Sequence, residues 1–398
     1  MSPYLDPRLP APRPLPARVD VLIVGARVAG AATAMLLARA GLSVLAVDRA
    51  AYGDDALSTH GLMRGAVMQL SRWGVLPALL ACGTPPVRRS TFIYGDTEVP
   101  VIIRPEHGVD HLLAPRRFLL DRVLADAAMQ AGADLRFGTA FEDVIRDPSG
   151  RVTGAVLRRG AERAEVRAGL VIGADGVRSA VARAVEAPTE RQARHALAVL
   201  FGYFEGIEDR GFRWHFGTGG AAGALPTTGP AHCVFAGRPA GEGRPFGPDA
   251  EAGFAAVLAE TAPGLAEETR AARRDGKLRV FAGLPGFLRR PFGPGWALVG
   301  DAGYFKDPCT AHGITDALRD AELLARAVLA GTPAAFADYH DLRDALSAPL
   351  LDVTDAIAAC DWTLDEVAAL HLRLSEAMRS ECAVMARGAA REAPARAA

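Results

Sequence analysis

The chain turns on Val19-Asp20-Val21-Leu22-Ile23-Val24-Gly25-Ala26-Arg27-Val28-Ala29-Gly30, followed by an Ala/Leu-rich segment to Ala40, Gly41, the apolar run Ser43 to Val47, and Asp48-Arg49. A short run rich in β-branched residues and ended by glycine predicts a buried strand. Val28 to Ala40 is built from strong helix formers, and Gly41 stands where a helix takes its left-handed stop. Strand, turn, helix and second strand in this order form a dinucleotide-binding unit. Gly25 permits the tight turn and Gly30 lets the helix pack close to the sheet, with Ala26, Arg27 and Ala29 between them. The first-turn N–H groups then point at a pyrophosphate. Asp48 ends the second strand, where its carboxylate can accept ribose hydroxyls, and Arg49 follows it. Arg27 replaces the middle glycine of the motif, so its side chain must turn away or clasp a phosphate. Alone, this pattern also fits any βαβ unit; the second strand and its acidic end favour a nucleotide.

Working outward, the bounds are broad. The chain has 398 residues, is 50% hydrophobic and carries a formal net charge of −1. That is ample for a large core, and nothing in the charge balance points to nucleic acid or an anionic membrane. The five cysteines, Cys82, Cys233, Cys309, Cys360 and Cys382, form no C-x-x-C pair. This argues against a metal site and for a reducing, cytoplasmic setting. The proline-rich start lacks a signal layout, and no uninterrupted apolar stretch is long enough to predict a membrane span.

Residues 1–18 read as a loose arm and 388–398 as a loose tail. Between them, Met63 to Arg72 has helical spacing, Thr91 to Ile103 alternates as a hairpin, and Arg117 opens a long amphipathic helix ending near Gly132. Strands follow through Val144, Val152 to Arg158 and Ala164 to Arg167, then the buried strand Leu170-Val171-Ile172-Gly173 breaks into Ala174-Asp175-Gly176. Ala196 to Ala236 is strand-like and aromatic. Trp296 to Asp301 is another buried strand, Thr315 to Leu329 is helical, and so is Pro333 to Arg387. The expected architecture is α/β. A Rossmann-type domain (19–85, 112–190, 285–332) interleaves with a mostly antiparallel sheet domain (86–111, 191–284), followed by C-terminal helices (333–387).

Three motifs line up in order: Gly25 to Gly30 with Asp48; Gly173-Ala174-Asp175-Gly176 with Ser179; and Gly300-Asp301 followed by Pro308 and Gly313. The combination resembles the FAD-dependent monooxygenase superfamily of aromatic hydroxylases, flavin halogenases and geranylgeranyl reductases, over residues 19 to 330. The resemblance implies bound FAD and a transient NADPH or NADH. It places Asp48 at the adenosine ribose, Arg117 and Asp175 near the pyrophosphate, Asp301 at the ribityl chain and Pro308 against the isoalloxazine. The helix after Gly313, with Ile314 in its first turn, would aim its N-terminus at the pyrimidine end. A reduced flavin carries negative charge there, which a helix N-terminus stabilises by roughly 0.3–1 kcal/mol, up to about 2 when partly buried.

Each of these positions has a plainer reading. Asp175 and Asp301 can cap a turn, and Arg116 competes with Arg117 for the same role. His60 and Arg64 border the flavin in relatives and are the candidate catalytic residues beside Pro308, but surface capping fits them equally. Among the aromatics, Phe201, Tyr203 and Trp214 can be sheet core or substrate cage. Cys309 lacks a base and reads as inert.

The branch within the superfamily is read from two further motifs. Halogenases carry Trp-x-Trp-x-Ile-Pro and prenyl reductases Tyr-x-Trp-x-Phe-Pro; in the strand ending Leu225-Pro226 the corresponding positions are Ala221 and Gly223. With Phe201, Tyr203, Trp214 and Pro226 they form the expected substrate pocket, pared back for a bulky, largely apolar molecule. The expectation is a monooxygenase that uses NAD(P)H and O2 through a flavin C4a-hydroperoxide; the alternative is a reductase of a carbon–carbon double bond.

Overall fold

The structure is a computed structural model and describes residues 14–58, 60–241 and 245–392. The opening unit is β1 (Arg18–Val24), α1 (Val28–Arg39) and β2 (Val44–Asp48), with Gly41 at φ +91° ending the helix. Then come α2 (Arg64–Arg72), α3 (Leu76–Ala81), the hairpin of β3 (Arg89–Tyr94) and β4 (Thr97–Ile102), and α4 (Arg117–Gln130). Strands β5 (Asp134–Phe137), β6 (Ala140–Arg146), β7 (Val152–Arg159) and β8 (Glu162–Gly173) follow. β8 runs unbroken through what the alternation suggested were two strands. The chain continues through α5 (Ala180–Ala184) and β9 (Thr189–Gln192).

The aromatic stretch becomes β10 (Leu197–Glu205), β11 (Phe212–Gly217), β12 (Gly220–Pro226) and β13 (Ala231–Pro239), followed by α6 (Ala250–Thr261), α7 (Pro263–Ala271) and β14 (Arg273–Phe281). Short strands β15 (Phe287–Arg289), β16 (Phe292–Gly293), β17 (Trp296–Leu298) and β18 (Tyr304–Phe305) lead to the helices α8 (Gly313–Ala330), α9 (Pro333–Ala358) and α10 (Leu364–Glu392). Two boundaries differ from expectation. Residues 388–392, read as tail, continue α10, and the arm gives way to β1 at Arg18. The rest of the arm up to residue 13, and the tail beyond 392, lie outside the described residues.

The eight-stranded sheet has the order β16-β17-β8-β1-β2-β5, with β6 and β7 joining through β8. β17, β8, β1, β2 and β5 run parallel. The chain leaves β1 toward β2 on one side while β8 pairs on the other, and this reversal opens a crevice at the strand ends. Helices α1, α4 and α8 cover one face of this sheet.

The seven-stranded sheet has the order β14-β10-β13-β12-β11-β3-β4 and is antiparallel except between β11 and β3. At its centre both faces are buried, so β10 is apolar at nearly every position rather than alternating, while the edge strand β4 is exposed. Phe201, Tyr203, Trp214, Phe235 and Ala221 face Ala311 and the start of α10. Leu200, Phe204, Ala222 and Ala224 face α6 and α7. Among the described residues, no helix is long and apolar enough to cross a membrane.

Candidate active site

The turn after β1 is as tight as its glycines demand. Gly25 has φ +104°, and a Cβ there would lie 2.3 Å from the Ala174 carbonyl oxygen. A Cβ on Gly30 would lie 1.8 Å from the Gly25 carbonyl oxygen, so neither position accepts a side chain. α1 begins after Arg27 with no side-chain cap among the described residues and no acidic residue in its first turn. Its free N–H groups therefore present a positive end to an anion. Asp48 accepts hydrogen bonds from the Ala26 N–H at 2.9 Å and the Ala50 N–H at 2.8 Å, which fixes the carboxylate at the mouth of the turn. Arg49 beside it is exposed.

Arg116 and Arg117 take different neighbours. Arg116 lies 3.6 Å over the Tyr203 ring and pairs with Asp275 at 3.3 Å, on the side of the seven-stranded sheet. Arg117 reaches back along α4 to Asp121 at 3.1 and 3.2 Å. Asp121 is buried, which raises its pKa, and the charges of Arg117 and Arg27 oppose that rise. Asp121 was missed in the sequence, although its i,i+4 spacing from Arg117 was a usable signal.

The two acidic strand ends part ways. Asp175 is a cap: its carboxylate accepts from Ser179 Oγ at 2.5 Å and from the Ala180 N–H at 2.6 Å at the start of α5. Its carboxylate is therefore committed to that turn, while its backbone N–H packs against the Gly25 turn, where a Cβ on Gly25 would lie 3.0 Å away. Asp301 has no hydrogen-bond partner among the described residues. Burial lifts its pKa to about 6, against the pull of Arg117 and Lys306. Gly300, at φ +59°, sits against α1, where an added Cβ would come 2.8 Å from Ala29 Cβ.

The segment after β18 is pinned from below. Asp307, which the sequence reading passed over, accepts from the Leu197 N–H at 2.7 Å and the Cys309 N–H at 2.9 Å, tying this loop to β10. Burial raises its pKa to about 6. Pro308 starts a short turn that ends on Ala311 at φ +48°, and His312 precedes α8. An added Cβ on Gly313 would meet nothing, so space is open at that helix start; Ile314 behind it is buried. Beneath lies a buried ionic cluster. Lys306 donates to Asp316, Arg319 pairs with Asp316, Asp320 and Glu381, and His312 meets Glu381 at 2.6 Å. His312, Asp316 and Glu381 have the spacing of metal ligands, but Lys306 and Arg319 already neutralise them.

His60 and Arg64 hold structure. His60 is buried at φ +52°, and burial lowers its pKa to about 3, so the ring is neutral. Its Nδ1 faces the Ser58 carbonyl at 3.0 Å and its Nε2 faces Thr227 Oγ1 at 3.2 Å. Arg64 spends its donors on the Val109 carbonyl at 2.7 Å and the Arg104 carbonyl at 2.9 Å. Neither reaches the cavity wall. Gly61 does bring this loop near the turn before α8, since an added Cβ would lie 3.1 Å from Ala311 Cβ.

A narrow apolar cavity is lined by Trp214, Phe216, Ala221, Phe235, Pro308 and Cys309, with Leu197, Val199, Ala222 and Gly237. Of the expected pocket residues, Trp214 and Ala221 belong to its wall. Phe201, Tyr203, Gly223 and Pro226 are buried but do not line it. The pared-back reading of Gly223 is corrected: Phe235 and the Arg213 carbonyl fill the space beside it.

The residues present fit FAD. The uncapped start of α1, the placed carboxylate of Asp48, the unpartnered carboxylate of Asp301 and the open start of α8 each offer what one part of that molecule requires.

Comparison with known proteins agrees with this geometry. A family described as an FAD binding domain matches residues 18–207. The chain is 31% identical to the menaquinone reductase of Mycolicibacterium smegmatis, over 79% of this chain and 77% of that protein. It is 28% identical to the digeranylgeranylglycerophospholipid reductase of Methanothrix thermoacetophila, over 79% of each. Among solved structures, the flavin-dependent brominase Bmp2 superimposes with a TM-score of 0.76 at 21% identity, covering 84% of this chain and 86% of that one. The probable FAD-dependent monooxygenase PqsL from Pseudomonas aeruginosa gives 0.73 at 22% identity, covering 91% and 100%.

Proposed function

The chain belongs to the FAD-dependent monooxygenase superfamily of aromatic hydroxylases, flavin halogenases and geranylgeranyl reductases, and from that premise we propose that it is an NAD(P)H-dependent monooxygenase acting on a largely apolar substrate. Bound FAD supplies the redox chemistry, accepting hydride from the nicotinamide and activating O2. The protein's share is binding, orientation and exclusion of water. The α1 start takes the pyrophosphate, Asp48 the ribose, Asp301 the ribityl chain, and Pro308 borders the ring. The segments 19–85, 112–190 and 285–332 form the nucleotide-binding part in this reading, and 86–111 with 191–284 the substrate part.

The observation that carries the choice of chemistry is the cavity wall. Among the described residues that line it, Cys309 alone is ionisable, and burial raises its thiol well above the ordinary value. Trp214 has an N–H, but it is already donated to Ser90 Oγ at 3.0 Å. A wall without an effective acid suits oxygen transfer, which needs mainly positioning and dryness. It suits an apolar substrate as well, because nothing on it compensates a buried charge.

A second reading, reduction of a carbon–carbon double bond, is favoured by the reductase names of the sequence relatives. It would make Cys309 the proton donor. Turnover under oxygen-18 gas tests the choice. Label in the product supports oxygenation; an unlabelled product with two added hydrogens, formed at full rate without oxygen, overturns it.

A further inference from the structure

We propose that Glu381 positions His312 so that the ring takes up a proton on Nδ1 when negative charge is placed before the α8 start. This rests on the reading that the pyrimidine end of FAD lies there. Glu381 comes from α10, far from every motif of the nucleotide site, and nothing in the chain's spacing announces it.

The tautomer follows from the contacts. His312 Nε2 lies 2.6 Å from Glu381 Oε2, while Arg319 Nη1 holds Glu381 Oε1 at 2.7 Å. Burial raises the Glu381 pKa, but the Arg319 guanidinium and the Lys306 ammonium help hold it below the usual carboxylate value, so it is a carboxylate. A carboxylate accepts, so Nε2 carries the hydrogen and Nδ1 of the neutral ring keeps its lone pair. That Nδ1 is buried and has no partner among the described residues. The ring itself is 1% exposed.

The surroundings of the ring are charged. Around the ring are Lys306 before the turn, Asp316 and Arg319 on α8, and Glu381 on α10. Asp316 lies 3.9 Å from His312 Nε2. Beside Glu381 is Cys382, and burial raises its thiol to about 12, so it stays neutral. From α2, Gly65 lets the backbone approach Thr315 and Glu381, while Arg64 is turned to the loop carbonyls at 104 and 109. Arg343 on α9 is paired with Asp344. Around His312, therefore, Lys306, whose pKa burial lowers to about 7, and Arg319 face Asp316 and Glu381, so the neutral ring sits in a balanced cluster. Burial holds the His312 pKa down, helped by the charges of Lys306 and Arg319 and opposed by Glu381. A further negative charge at the helix start unbalances this cluster and draws a proton from solvent onto Nδ1.

The balance is explicit. Hydride brings two electrons and one proton to FAD, leaving it anionic; the second proton goes to His312. The test is the midpoint potential of bound FAD against pH, from about 6.5 to 8.5, read by spectroelectrochemistry. For the wild type we expect the slope of two protons per two electrons, and for Glu381→Gln and His312→Asn the slope of one. A one-proton slope in the wild type overturns the proposal without any variant, as does a two-proton slope in either variant with FAD bound. If the wild type does not retain FAD at all, the cofactor reading itself has failed, and this proposal with it.

Discussion

The ring of Phe235 occupies the space beside Gly223: a Cβ at that glycine would lie 2.6 Å from its Cε1 and Cζ, and 2.4 Å from the Arg213 carbonyl oxygen. Gly223 is thus a packing glycine between two strands, not a gap left for substrate. Gly223→Trp is expected to abolish the folded sheet, because the backbone oxygen cannot retreat. Thermal melting of the apo-protein checks this, and an unchanged Tm would return Gly223 to the substrate pocket. Phe235→Ala should instead widen the cavity, at a cost of about 3–5 kcal/mol.

Asp301 sets a pH dependence. Burial lifts its carboxyl from the usual value to about 6. A group raised in this way contributes stability that is complete below its unfolded pKa, near 4, and is lost as pH climbs through about 6. Asp301→Asn removes the loss, so the apo-variant should gain about 1–3 kcal/mol over the wild type between pH 4 and 7. FAD affinity at pH 7.5 should move the other way, falling by about 1.5–3 kcal/mol as a charge-assisted hydrogen bond is lost. Denaturant titration of the apo forms and FAD titration separate the two effects. Unchanged FAD affinity would make Asp301 a turn residue.

His60 should be silent in catalysis between pH 5 and 9. Burial depresses its pKa to about 3. Its stabilising effect is therefore present above the unfolded value near 6.5 and is lost as pH falls from there toward 3. Asn tolerates the left-handed backbone found at this position. His60→Asn should keep the pH–rate profile and lose part of the acid sensitivity of stability. A pH–rate limb that disappears in the variant would restore His60 as an acid or base.

Arg319 is fully buried and serves Asp316, Asp320, Glu381 and Ser347 at once. Arg319→Met leaves these carboxylates without their shared cation. Breaking a buried pair from one side costs about 3–5 kcal/mol. Chemical denaturation should show a loss of that size. A variant as stable as the wild type would mean that the cluster is held by protonated carboxyls instead.

These features differ in how far the chain announced them. The strand ends at Gly25, Gly173 and Gly300 were legible because a buried parallel strand must be a continuous apolar run, and a nucleotide turn must follow it with glycine. Asp48 and Asp301 were legible as acids at such ends. The capping role of Asp175 could be weighed but not decided, since it depends on where Ser179 and the α5 amides fall. Gly223 misled because a strand pattern gives the face of a residue and not what its neighbours place there. Glu381 and Arg319 were invisible: helices α8 and α10 meet through tertiary packing, and a carboxylate on an amphipathic helix reads as solvated until its partner is known.

The last prediction concerns Cys309. Its thiol lies on the wall of the apolar cavity, beside Pro308, and burial keeps it protonated. In oxygen transfer it has only to fill space, so Cys309→Ala should retain turnover within a few-fold, with one O2 consumed per NAD(P)H. In alkene reduction it would be the acid that completes hydride addition, and removing a general acid costs typically 10²–10⁴ in rate. A thiol raised well above its usual value donates poorly near neutral pH, which is why the small effect is expected. The measurement is the rate of product formation by Cys309→Ala and Cys309→Ser, with and without oxygen. A hundredfold loss in both variants, with flavin reduction by NAD(P)H unchanged, would identify Cys309 as the donor and the protein as a reductase.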